Sequence, residues 1–67
     1  MVNNHNTTTT EMAEALQQVF IAESYLRRAL KAVNKAHALE KRPANRSRLA
    51  NAAVLISNAT RTLDGAE

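Results

Sequence analysis

The sequence predicts an all-α fold: an antiparallel helical hairpin, with a long helix over about 8–42 and a shorter one over about 43–63, assembling into a dimeric four-helix bundle or a higher oligomer. Three observations predict it. Met12, Leu16, Val19, Leu26, Leu30 and Val33 follow alternating steps of four and three, with Glu23 and His37 completing the series, which is the repeat of a two-position helical seam. A second stripe, Ala15, Ala22, Ala29 and Ala36, recurs every seven residues beside the first. Its small side chains let a partner backbone approach near the lower end of the usual ~8–10 Å interaxial range. The single proline, Pro43, then punctuates two long stretches of good helix formers.

Composition bounds the rest. The chain has 67 residues, 45% apolar and 22% charged, the balance of one folded globular domain at 8–67 behind a flexible polar tail at 1–7. A single core of this size seldom supplies more than ~3–5 kcal/mol without disulfides, a metal or self-association. There is no cysteine, and His5 and His37 stand too far apart for a structural zinc site, so self-association remains, with no cofactor and no metal expected. No apolar run reaches the ~18–20 residues of a membrane span, and the Asn/Thr-rich start lacks the basic and apolar segments of a secretion signal. A cytoplasmic location and no membrane partner are expected.

Taken in order, Thr8 and Glu11 have the spacing of a capping box, and Glu14 adds favourable charge near the positive helix end. The first helix is expected to begin there. From Glu11 to Lys41 there is neither glycine nor proline, so propensity and periodicity agree. Pro43 can close the first helix and open the second, because it has no N–H to lose in a first turn; Asn45 is the competing cap. The second helix gathers Leu49, Ala52, Ala53, Ile56, Ala59 and Leu63 on one face, and Gly65 follows as a terminator.

The two helices are unequal. At 1.5 Å per residue the first spans roughly 50 Å and the second roughly 30 Å, so a chain folded at Pro43 brings Leu63 opposite a residue near Ala22. Met12, Leu16, Val19, Phe20 and Ile21 are left without an intrachain neighbour and form the expected oligomer interface, since exposure forfeits ~1.5–3 kcal/mol per large side chain. The alternative is a break near Glu23 and Ser24 that folds this overhang back as a third helix, although no glycine or proline marks one.

Charge is equally uneven. Residues 27–48 carry a net +7 and the remainder of the chain −4. Arg27, Arg28, Lys31, Lys35, Lys41, Arg42, Arg46 and Arg48 are therefore the candidate phosphate-binding residues, because counterion release and guanidinium forks favour nucleic acid or nucleotide ligands. The competing reading is that these side chains solvate an alanine-rich hairpin and favour its helix C-terminus. Tyr25, one turn from Arg28, is a possible stacking ring or a partly exposed structural tyrosine. His37 reads as a packed seam histidine or a pH-sensitive group, and Glu23 as a partner for Arg27. Asn51, Asn58, Ser57 and Arg61 read as solvated helix surface or a polar recognition face.

No catalytic residue can be named, since the chain has no cysteine nucleophile, no glycine-rich phosphate loop and no histidine-linked carboxylate pair. No family motif can be placed on it. In shape alone the expected architecture resembles small RNA-binding regulators of plasmid copy number. The expectation is thus a small non-enzymatic, oligomeric binding or regulatory protein whose basic hairpin end engages nucleic acid or a nucleotide-type small molecule. The alternatives are an adaptor or inhibitor that docks an acidic or helical protein through Val54, Leu55 or the overhang, and a purely structural assembly unit.

Overall fold

Two helices account for almost all of the chain. In the computed structural model, residues 2–66 are described, those at 2–8 by their backbone alone; α1 spans Val2–Leu39 and α2 spans Pro43–Asp64. No strand occurs among the described residues. The helices pack against each other as an antiparallel hairpin joined by Glu40, Lys41 and Arg42.

The long helix is continuous. The absence of glycine and proline allows this, and no break occurs at Glu23 and Ser24, so the third-helix alternative is overturned. Both ends of α1 differ from expectation. It starts at Val2 instead of near Thr8, placing the Thr8–Glu11 spacing inside a helix, because a capping box favours a start without forbidding an earlier one. Met1, part of the tail expected at 1–7, lies outside the described residues. α1 ends at Leu39 instead of Arg42 because a proline ring disfavours helical torsions in the residue before it. Arg42 is accordingly extended, with φ −78° and ψ 120°, and Pro43 opens α2 at its first turn. At the far end Gly65 caps α2 as expected, but with helical torsions, φ −68° and ψ −16°, so the left-handed freedom of glycine is not used.

Packing follows the seam. Val19, Leu26, Leu30, Val33 and His37 of α1 are half-buried and Glu23 fully so, while Leu49, Ala52, Ala53, Ile56, Ala59 and Leu63 of α2 are half-buried opposite them. The alanine stripe flanks this contact and does not form its centre: Ala22 and Ala29 are half-buried, whereas Ala15 and Ala36 are exposed. Among the described residues no apolar side chain is fully buried. Two helices alone leave each seam open on its sides.

The isolated chain is therefore long and surface-rich. It measures 61 × 15 × 13 Å with a radius of gyration of 17.5 Å, where a compact domain of this length has roughly 11 Å. Its accessible surface is 5465 Å², against roughly 4,200 Å² for a folded monomer of 7.4 kDa. The excess is of the order that one partner buries in a standard interface, about 800 Å². Met12, Leu16, Phe20 and Ile21 contribute to it, all exposed on the overhang.

Candidate functional site

The connection between the helices is built by its own charged residues. The N–H of Glu40 donates to the carbonyl of Ala36 at 2.8 Å, closing the last turn of α1 and turning the Glu40 carboxylate toward Arg42. Arg42 donates to it three times: its backbone N–H and Nε reach Oε1 at 2.9 Å each, and Nη2 reaches Oε2 at 3.0 Å. Side-chain and backbone donation from Arg42 holds the Glu40 carboxyl at about 2, below its ordinary 4.5, and the pairing raises Arg42 in turn. The Asn45 amide, with its oxygen turned to Arg42, accepts from Nε at 3.2 Å and Nη2 at 3.0 Å. That orientation is preferred over the single 3.4 Å bond from Arg48 Nη1 that the reverse allows, because it satisfies both ends of the amide.

Arg46 closes α1 from the other helix. Its Nη1 donates to the carbonyls of Glu40 at 3.1 Å and His37 at 3.4 Å, which are among those that a helix C-terminus leaves without partners. Two of the eight candidate phosphate ligands are thus engaged in structure. Arg42 is committed to Glu40, and Arg46 caps α1.

The remaining cations fall into two places. Arg27, Arg28, Lys31 and Lys35 lie exposed along α1, and Lys41 and Arg48 are exposed at the turn end. From Ser24 to Leu39 there is no acidic residue, and among the described residues no ion pair neutralises Arg27, Lys31 or Lys35. Glu23, expected to partner Arg27, lies in the seam and is 3% exposed. Its Oε1 accepts no hydrogen bond, although the residue takes part in another polar interaction. The guanidinium carbon of Arg28 lies 5.9 Å from the centroid of the exposed Tyr25 ring, within cation–π range. His37 is half-buried in the seam, and its backbone carbonyl accepts from Arg46.

A groove along one side of the hairpin was not anticipated. Leu30 and Asn34 of α1 and Ala53, Ser57, Asn58 and Arg61 of α2 are among the residues lining an open depression of about 290 Å³. Sequence spacing grouped Ser57, Asn58 and Arg61 on one helix, but Asn34 could join them only once the register of α1 on α2 was known. Arg61, the one cation outside the basic window, is thereby brought beside that window.

The overhang residues divide as well. Met12, Leu16 and Phe20 follow one another at four-residue spacing on one face, with Val19 beside them half-buried. Ile21 stands elsewhere: it precedes Leu39 by 18 residues, a whole number of turns, which places both on the back of α1 with Tyr25. Among the described residues no group of three metal-ligating side chains converges, and no helix is long and apolar enough to cross a membrane. No family model matches the chain, and no curated protein or solved structure resembles it.

Proposed function

We propose that this protein is a small, non-enzymatic, oligomeric binding protein, a dimer of hairpins with four helices in all, that engages a phosphate-bearing ligand, nucleic acid or nucleotide, on the outer surface of α1. The observation that carries this reading is the acid-free run from Ser24 to Leu39, which presents Arg27, Arg28, Lys31 and Lys35 exposed over little more than two turns. Four cations without neutralising carboxylates set up a local positive potential, and phosphate contact releases the counterions they hold. Arg42 and Arg46 are secondary in this reading because their donors already serve the turn.

Titration at several salt concentrations with short RNA, duplex DNA, and mono- and cyclic nucleotides tests it. Nucleic acid bound through these four cations gives a slope of log K against log salt of roughly −3.6 on duplex DNA, and replacing all four by glutamine flattens it. A nucleotide site instead saturates at a fixed number of ligands per oligomer and raises the melting temperature by mass action. No binding to any of these ligands at low salt would reject the reading. That result would favour a protein adaptor, for which Leu55 and Val54, 68% and 59% exposed on α2, are the contact residues to make charged.

A further inference from the structure

We infer that a second copy of this chain runs antiparallel to the first along α1, with the twofold axis crossing the shared face at the level of Ile21, so that each overhang lies in the groove of the other hairpin. This rests on the oligomeric reading above and adds the orientation and register of the subunits. Three independent features lead to it.

The first is length. The part of α1 beyond α2, Val2 to Ile21, spans roughly 30 Å, and α2 spans roughly 33 Å, so the overhang of one chain matches the hairpin of another. A twofold near Ile21 sets overhang against hairpin twice and leaves neither uncovered. The second feature is the face. A twofold contact must use the same surface on both subunits, so the overhang's apolar row and the groove it enters must share one side of α1. They do: the spacing of three and four that joins Met12, Leu16 and Phe20 continues through Glu23 and Arg27 to Leu30 and Asn34, which line the groove. In this register Met12 of one subunit stands level with Leu30 of the other.

The third feature is charge. From Val2 to Glu23 α1 carries three acids and no lysine or arginine, whereas from Ser24 to Leu39 it carries four bases and no acid. Antiparallel helices about Ile21 place the acidic half of each level with the basic half of its partner, while Glu11 and Glu14 lie on the far side of α1 from Leu16 and leave the partner's four cations open. Parallel helices would set like against like along the full length, and two overhangs paired only with each other would bring four glutamates together while leaving both grooves open. Three helices then stand at every level of the dimer, two from one chain and one from its partner. The row of Met12, Leu16 and Phe20 is covered on both sides of the axis.

A spin label at position 12, introduced as Met12→Cys in a chain that has no other cysteine, tests the register by the label-to-label distance in solution. Met12 is 67% exposed, so the single chain tolerates the change. The antiparallel register separates the two labels by about 30 Å, from 18 residues of axial offset and one helix spacing. Overhangs paired with each other over Val2 to Ile21 and parallel helices both give about 10 Å, and either result overturns the proposal. A second label at the exposed Leu39 is expected at about 55 Å in the antiparallel register and again about 10 Å in a parallel one. Light scattering on the same samples keeps the two claims apart. A dimer with short distances overturns the orientation alone, whereas a monomer or an odd-numbered assembly of the unlabelled wild type, measured alongside, overturns the oligomeric reading and the orientation with it.

Discussion

At the scale of single residues, position in the basic window did not determine role. Arg42 and Lys41 are neighbours, yet one donates three hydrogen bonds to Glu40 and the other is exposed without a carboxylate partner among the described residues. The difference comes from Pro43, which holds Arg42 extended and so points its N–H and its side chain toward the same carboxylate. Glu40 reports this directly. Arg42→Gln is expected to return its carboxyl from about 2 toward 4.5, followed by NMR titration of the Glu40 side chain. The sign for stability follows from the depressed value: the pair contributes in full above the ordinary 4.5 and its contribution is lost as pH falls through about 2. A Glu40 titration unchanged by the substitution would show that the pairing is not maintained in solution.

At the scale of elements, Arg46 joins two helices that the sequence presents separately. Its guanidinium on the carbonyls of His37 and Glu40 caps α1 from α2, and loss of a favourable charge at a helix C-terminus costs about 0.3–1 kcal/mol. Arg46→Ala is therefore expected to lower the melting temperature by a few degrees, and Arg48→Ala to leave it within about a degree or two, because Arg48 makes one long contact at most. Equal effects from both would contradict the capping role. Much at this scale was legible in advance. Leu26, Leu30 and Val33 face Leu49, Ile56 and Leu63 because periodicity of three and four marks a buried stripe wherever a chain has no breaker. The helix ends were less legible: a capping box permits a start without enforcing one, and the effect of Pro43 reaches back over Arg42. The groove was not legible, since joining Asn34 to Ser57 and Arg61 requires the register between two helices, which depends on the three-residue link and on side-chain packing across the seam.

At the scale of the whole molecule, the hairpin is a bundle with one layer missing. It has a seam in which no apolar residue of the described chain is fully buried, a surface larger than its mass requires, and an overhang about as long as its own second helix. The same helix carries acid at one half and base at the other, so the proposed self-association and the proposed attraction for phosphate draw on one charge pattern. Association with a second copy is the central claim, because both the exposed overhang and the open seam depend on it. Sedimentation equilibrium at micromolar concentration, on the wild type and on the double variant Leu16→Asp with Phe20→Asp, tests it most directly. The expected result is a wild-type mass twice the 7.4 kDa chain and a variant that falls toward 7.4 kDa, losing helicity as its overhang is released. A wild-type chain that stays at 7.4 kDa with full helical content, or a double variant that keeps both its mass and its helicity, would contradict it.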